Sequence, residues 1–155
     1  MRTVWRITTA RFAATAFLGE GARLYGGRWN PKGFALVYTA ESRALALLEM
    51  MVQDASLSAR YALIPAELPD TVSVTLVGLA DLPTDWRRLD RQGALQRIGR
   101  DWLESGRSAV LAVPSAVVPA ERNYLLNPRH PDFARIMVGE PEALDTDFRL
   151  MGPLA

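Results

Sequence analysis

The residues best suited to bind a ligand lie together in one glycine-rich segment, Gly19–Gly33, which reads GEGARLYGGRWNPKG. Glycines let a ligand approach the main chain, and the planar guanidinium of an arginine binds phosphate oxygens in pairs. Arg28 and the adjacent Trp29 therefore indicate a phosphorylated, ring-bearing ligand, and Lys32, the only lysine of the chain, lies beside them. A surface loop with solvated arginines fits the same composition. The spacing matches neither the GxGxxG nor the GxxxxGK[ST] phosphate loop.

The candidate catalytic residues are few and are expected on different elements. One cation, one ring, one carboxylate and one hydroxyl make up the set: Arg28, Tyr38, Glu49 and Ser115. Glu49 falls at the border of the apolar face of its helix, from which a carboxylate reaches either into a cleft or into water. The set contains neither a strong nucleophile nor metal ligands. It suits a reaction in which a cation must be stabilised and the leaving group departs readily.

Composition excludes several kinds of site. The chain has 155 residues and no cysteine, so it has no disulfide, thiolate nucleophile or cysteine zinc site. His130 is the only histidine, which excludes a multi-histidine metal centre and leaves one possible base for a Ser-His-Asp triad. A net charge of +1 argues against a nucleic-acid-binding surface. No apolar run could span a bilayer and the N-terminus lacks a signal peptide, so we expect a soluble cytoplasmic protein.

Hydrophobic periodicity predicts one α+β domain over residues 1–155, because strands outnumber helices without alternating strictly with them. The predicted strands are Thr3–Thr8, Phe34–Thr39, Tyr61–Glu67, Val72–Val77, Ala109–Val113, Arg135–Val138 and Phe148–Leu150. The predicted helices are Ala10–Phe17, 42–53 with Ser42 as N-cap, and Arg91–Ser105 with Gly106 as C-cap. Residues 19–33, 79–86 and the proline-punctuated stretch 114–133 are predicted loops.

Three polar residues of the stretch 114–133 remain open to either a structural or a functional role. Asn123 and Asn127 flank an apolar run, NYLLN, and can cap turns or bind a ligand. His130 lies between an arginine and a proline, where a structural role is commoner than that of a general base.

Three separated motifs in this order resemble the RES domain family: GARLYGGRWNPKG, VYTAESRALALLE and VLAVPSAVVPAERNYLLNPRHPDF. That family is named for an arginine, a glutamate and a serine, which match Arg28, Glu49 and Ser115. The resemblance implies an ADP-ribosyltransferase-like fold, with a mixed sheet and flanking helices. It also implies a toxin of a bacterial toxin–antitoxin pair that breaks down NAD, with water or phosphate as acceptor, and an Xre-type helix-turn-helix antitoxin as partner.

The residue chemistry is compatible with that implied activity. Nicotinamide leaves NAD as a neutral base, so cleavage needs no general acid, and one carboxylate beside the ribose can stabilise the oxocarbenium-like state. We assign this role to Glu49. Arg28 would hold a phosphate and Tyr38 would pack on the nicotinamide ring, while Ser115 would orient Glu49 or bond the substrate. Asn127 is a weaker candidate for NAD binding. No metal is required.

Four functions remain open at this point. The leading one is a toxin that acts as an NAD glycohydrolase or NAD phosphorylase, and the second is ADP-ribosyl transfer onto a cellular protein. The third is a non-catalytic module that binds a partner. Direct DNA binding is least favoured, because any DNA contact is expected to run through the antitoxin in a hetero-oligomer. No membrane association is expected.

Overall fold

The computed structural model describes residues 1–151, and its centre is one mixed sheet. The strands are β1 (Arg2–Thr9), β2 (Val37–Ala40), β3 (Tyr61–Leu68), β4 (Val74–Leu76), β5 (Val110–Pro114), β6 (Arg122–Leu126), β7 (Met137–Val138) and β8 (Glu142–Ala143). Their order in the sheet is β4-β5-β6-β2-β1-β3-β7, and β8 also pairs with β3. Only the β4–β5 pair is parallel among these described strands. The predicted α+β class with a mixed sheet is therefore confirmed.

Three α-helices and several short 3-10 helices connect the strands. The α-helices are α1 (Glu20–Tyr25), α2 (Arg43–Gln53) and α3 (Gln92–Ser105), and 3-10 helices span Ala10–Thr15, Leu79–Asp81, Leu89–Arg91, Pro131–Arg135 and Phe148–Met151. Within residues 1–151 none of the helices has the length and apolarity needed to cross a bilayer. Both predicted caps are present, since the Ser42 side chain accepts from the Leu45 amide and Gly106 ends α3 in the left-handed conformation.

The alternation of side chains along the strands divides the core into two faces. On one face Val4, Val37 and Leu126 belong to a cluster against which Phe17 and Phe133 pack. The opposite face carries both long helices: α2 packs there through Leu45, and α3 packs there through Leu95 and other residues of its apolar stripe. Since α2 carries Glu49, this packing fixes the height of the carboxylate above the sheet.

The sheet opens between β1 and β2, in its middle. These strands pair at a single position, Trp5 with Ala40, whereas β1 pairs with β3 along all eight of its residues. Beyond Trp5 the two strands separate, and the Arg6 guanidinium crosses the gap to donate a 3.0 Å hydrogen bond to the carbonyl of Tyr38. The opening creates a cleft in the centre of the sheet.

Three sequence predictions are corrected by local hydrogen bonding. The segment Gly19–Gly33 is not all loop: α1 begins after Gly19, whose φ is 73°, and an ion pair between Glu20 and Arg23 stabilises it. Residues 114–133 are not all loop either, because β6 forms within them between β5 and β2. Phe148–Leu150 is 3-10 helix and not strand, since Asp147 binds both the amide and the guanidinium of Arg149.

Other predicted elements are confirmed in kind but differ in length. The strand predicted at Phe34–Thr39 begins only at Val37, and the one predicted at Val72–Val77 is reduced to the three residues of β4. Of Arg135–Val138 only the last two residues form β7, because a 3-10 helix occupies the preceding residues through Arg135. The predicted helix at Ala10–Phe17 is a 3-10 helix.

Candidate active site

The opening between β1 and β2 forms a cleft of about 490 Å³. The end of β1, residues 26–29 of the glycine-rich segment, β2, the second half of α2 and the turn after β5 line it. Its volume lies within the range of about 300–1,000 Å³ that is typical of small-molecule sites. Of the four predicted catalytic residues, Arg28, Tyr38 and Glu49 line this cleft directly.

Glu49 is the carboxylate of the cleft, and both of its oxygens accept hydrogen bonds. Asn123 Nδ2 donates to Oε1 at 2.8 Å and Ser115 Oγ donates to Oε2 at 3.0 Å. Burial raises the pKa of Glu49, and these two donors act in the opposite direction. The carboxylate is therefore held in one orientation from behind, with its charge directed at the cleft.

Ser115 is fully buried and reaches the cleft only through Glu49. While its hydroxyl donates to the carboxylate, its oxygen accepts from the amides of Val117 and Val118 at 3.1 and 3.2 Å. Both lone pairs are thus engaged, which leaves the oxygen without nucleophilic capacity. Of the two roles predicted for Ser115, this geometry favours orientation of Glu49 over contact with a ligand.

Tyr38 ties β2 to the glycine-rich segment. Its hydroxyl donates to Asn30 Oδ1 at 2.6 Å and accepts from the Trp29 amide at 3.0 Å. Asn30, which is fully buried, also donates through Nδ2 to the carbonyls of Ala22, Pro31 and Phe34. Gly27 must be glycine here, because a Cβ would lie 2.6 Å from the Tyr38 hydroxyl. Burial raises the pKa of Tyr38 strongly, so the hydroxyl remains protonated. Tyr38 is one of the residues that line the cleft.

Two arginines line the cleft without a carboxylate partner among residues 1–151. Arg28 donates only a long, 3.4 Å bond to the carbonyl of Arg87, and burial lowers the pKa of Arg28. Arg6 bonds the Tyr38 carbonyl, and its buried Nε finds no partner in the described part of the chain. Burial likewise lowers the pKa of Arg6. Most N–H groups of both guanidiniums remain free to bind an anion.

Some residues singled out in the sequence lie outside this cleft. Asn127 lines a smaller cavity with Phe34 and Leu103, and its side chain accepts from the Arg129 amide, so the structure does not bring it to the other candidates. His130 bonds the Gly106 carbonyl through Nε2 and accepts from the Asp132 amide at Nδ1, while Ser115 bonds Glu49 and two amides instead of His130.

The tryptophan and the lysine of the glycine-rich segment are also not free ligand contacts. The Trp29 side chain is 2% exposed and packs 6.5 Å from the Trp86 ring centroid, so it belongs mainly to the core. Lys32 is exposed and does not line the cleft. Within residues 1–151 no three His, Asp or Glu side chains cluster as a metal site requires.

Sequence reasoning missed two residues of the site, Asn123 and Arg6. The sequence predicts Asn123 only as a turn or ligand residue of a loop, whereas it lies within β6 and bonds Glu49. Arg6 falls two residues after the fully buried Val4 and hence on the same strand face. An arginine on a buried strand face was the available signal, and it points to a function.

The chain is similar to known proteins along most of its length. The model of the RES domain family matches residues 3–147. The chain belongs to the RES domain family. The toxin Res of Yersinia enterocolitica is 44% identical over 132 residues, which cover 84% of this chain and 86% of that protein. The Prs ADP-ribosylating toxin of a Sphingobium strain is 42% identical over 134 residues, which cover 83% of each chain.

A third relative is similar in sequence and in structure. The NAD(+) phosphorylase MbcT of Mycobacterium tuberculosis is 37% identical over 90 residues, which cover 54% of this chain and 48% of MbcT. The crystal structure of the MbcT–MbcA toxin–antitoxin complex contains a chain that matches this one with a TM-score of 0.77 at 25% identity. That match covers 92% of this chain and 84% of the other. The fold of this RES domain is thus the ADP-ribosyltransferase-like fold implied by the sequence motifs.

Proposed function

We propose that this RES protein is the toxin of a bacterial toxin–antitoxin system and depletes NAD by cleaving its nicotinamide–ribose bond. The observation that carries the proposal is the carboxylate of Glu49, held by Asn123 and Ser115 in a cleft that Arg28, Arg6 and Tyr38 also line. Such a site offers negative charge at one point and binds anions at another. NAD has the complementary pattern, a cationic nicotinamide riboside joined to a pyrophosphate.

The chemistry requires little beyond this arrangement. The bond between ribose C1 and the pyridinium nitrogen breaks with its electron pair moving to nitrogen, so nicotinamide departs neutral and needs no acid. Positive charge develops on the ribose, as it does in glycoside hydrolysis. A carboxylate already fixed beside that charge stabilises it without reorganising, which is the most effective form of electrostatic catalysis. Glu49 also has the geometry to hold a ribose hydroxyl.

The other residues position the substrate in this proposal. Arg28 and Arg6 bind the phosphates through their free N–H groups, and the Tyr38 ring packs on nicotinamide. Ser115 and Asn123 act through Glu49 as positioning residues. Asn127, which lies outside the cleft, has no part in binding NAD.

Two relatives support different acceptors for the ADP-ribosyl group. MbcT is named an NAD phosphorylase, which favours a small acceptor, phosphate or water. The Sphingobium relative is named an ADP-ribosylating toxin and is similar over more of the chain, which favours transfer onto a protein as the second candidate. Cleavage of the same bond through Glu49 is common to both.

We infer that the partner is an antitoxin, of the Xre helix-turn-helix type, that covers the cleft. The structural match to a toxin in a toxin–antitoxin complex supports this. Exposed apolar residues next to the opening support it too: Val52, which is 72% exposed, lines the cleft, and Leu24 and Tyr25 are exposed on α1 beside it. Addition of the antitoxin should stop NAD cleavage, and unchanged cleavage in a stable complex would contradict a cover over the cleft.

The activity is tested by incubating the antitoxin-free protein with NAD, with and without inorganic phosphate, and following the products by mass spectrometry. We expect NAD loss with stoichiometric release of nicotinamide. No loss in either buffer, from protein shown to be folded by circular dichroism, rules out a small acceptor. The same incubation in cell extract with labelled NAD then tests the second candidate, which requires label on a protein band.

A further inference from the structure

Arg87 is exposed beside the cleft and is hydrogen-bonded to two residues that line it, Arg28 and Ala116. Its carbonyl accepts the 3.4 Å hydrogen bond from Arg28 Nη1, and its own Nε donates to the Ala116 carbonyl at 2.8 Å. Ala116 lines the cleft and directly follows Ser115, the residue that holds Glu49. The preceding residue, Trp86, is buried in the core and anchors this position. Arg87 therefore places a second guanidinium near Arg28, beside the turn that follows Ser115.

Arg87 has no carboxylate partner among residues 1–151, whereas the nearby Arg88 and Arg91 each form an ion pair. Arg88 pairs with Asp90 and Arg91 pairs with Asp85, at 2.8 and 2.7 Å. Arg28 and Arg87 have no such carboxylate among residues 1–151, and each bonds only a main-chain carbonyl. Burial lowers the pKa of Arg28, and the nearby charge of Arg87 lowers it further. Two adjacent cations without a counterion form a site for an oxyanion.

We propose that Arg87, next to Arg28 and its bound NAD phosphate, binds the anionic acceptor of the ADP-ribosyl group, inorganic phosphate, and so selects phosphorolysis over hydrolysis. This inference rests on the proposed cleavage of NAD. One phosphate oxygen forms the bond to ribose C1 while the bond from C1 to nicotinamide breaks, and the products are neutral nicotinamide and an ADP-ribose 1-phosphate ester. The attacking oxygen is already anionic and needs no base, whereas water must lose a proton. Holding phosphate at the rim thus favours it over the far more abundant water.

The test is the ratio of phosphate ester to free ADP-ribose at saturating NAD, measured by mass spectrometry over a phosphate titration. Arg87→Ala is compared with wild type and with Arg88→Ala, which removes the same charge one residue away from a side chain paired with Asp90. We expect Arg87→Ala to raise the KM for phosphate about tenfold or more, the usual cost of losing a charge-assisted hydrogen-bonding partner. Its hydrolysis rate without phosphate and its KM for NAD should stay near wild type, as should every parameter of Arg88→Ala.

Other outcomes separate this inference from the proposed function. If no buffer supports NAD loss, the proposed function fails and the role of Arg87 fails with it. If NAD is cleaved but phosphate never enters the product, only the acceptor site is wrong. A rise in the KM for NAD would instead assign Arg87 to the pyrophosphate of the substrate. An equal fall in hydrolysis and phosphorolysis in Arg87→Ala would show that the Ala116 contact merely supports Glu49. That result would overturn the proposal, even if Arg87→Lys rescued both rates.

Discussion

The two sides of the cleft differ in how completely their charged groups are bonded. On the carboxylate side both Glu49 oxygens accept hydrogen bonds, and the serine behind them uses its entire bonding capacity. On the arginine side Arg28 makes one long bond, and Arg6 leaves a buried Nε without a partner in the described chain. The hydrogen-bonding groups of the carboxylate side are satisfied within the protein, and those of the arginine side are not.

This difference separates catalysis from binding. A group that stabilises a transition state works best when it is fixed before the substrate arrives, as the carboxylate is. Groups that bind a substrate anion must keep donors free for it, because a guanidinium already paired with a carboxylate gains little from a phosphate. Changes on the carboxylate side should therefore lower kcat, and changes on the arginine side should raise KM.

The largest effect is expected for Glu49→Gln, which keeps the size of the side chain and removes its charge. Turnover of NAD should fall about a thousandfold, in the upper range for the loss of a preorganised electrostatic group. Initial rates of nicotinamide release measure it, with Glu104→Gln, an exposed carboxylate on α3, as matched control. Circular dichroism of both variants must match wild type. Retention of full activity by folded Glu49→Gln would remove the glutamate from the mechanism.

The next effect tests how Glu49 is held. Asn123→Ala removes the donor to Oε1, and kcat should fall about tenfold to a hundredfold, as for a lost hydrogen bond to a charged group. Burial raises the pKa of Glu49 and Asn123 lowers it, so without Asn123 the pKa rises further. Since the ionised form is the active one, the acidic limb of the pH profile of kcat should move to higher pH.

The control for this prediction is Asn127→Ala, which removes another buried asparagine that lies outside the cleft. It should leave both kcat and the acidic limb unchanged. A shift of the limb in Asn127→Ala, or none in Asn123→Ala, would contradict the assignment of the second donor.

On the arginine side, Arg6→Met removes a guanidinium while keeping much of its apolar length. The KM for NAD should rise about tenfold, the cost of one charge-assisted hydrogen-bonding partner, with a smaller change in kcat. Thermal stability should not fall, because a buried unpartnered Nε is removed as well. Arg60→Met, an exposed arginine, is the control. A fall in kcat at unchanged KM would place Arg6 with the catalytic groups.

Local sequence signals predicted most of the helices and strands, and they identified Glu49, Arg28 and Tyr38 as candidate site residues. The Ser42 cap, the Gly106 end of α3 and the apolar stripe of α3 depend on residues a few positions apart, and all three are present. The border position of Glu49 on α2 followed from helical spacing alone. Arg28 and Tyr38 were found from composition and motif resemblance.

The remainder depends on contacts between distant residues. Asn123 and Glu49 are 74 positions apart, and they meet only because β6 pairs with β2. The prolines on both sides of β6 led to the prediction of a loop there. The opening between β1 and β2 is a property of strand pairing that no local pattern records, so the position of Arg6 at a cleft could not be deduced. Asn127 directly follows β6 and lies outside the cleft, whereas Asn123 within β6 lines it.

The smallest effect concerns Tyr38, which ties β2 to the glycine-rich segment. Tyr38→Phe leaves the Trp29 amide and Asn30 Oδ1 without a partner, and should cost about 1–2 kcal/mol of unfolding free energy and a few-fold in activity. Gly27→Ala should cost about 1–3 kcal/mol, because its Cβ would lie 2.6 Å from the same hydroxyl. Removing the hydroxyl makes room for that Cβ, so in the double variant the losses should fall short of their sum by about 1 kcal/mol. Urea unfolding of the four proteins measures this coupling. Strict additivity would mean that the glycine is required by Asn30, whose Oδ1 lies 2.9 Å from the same Cβ, and not by the tyrosine.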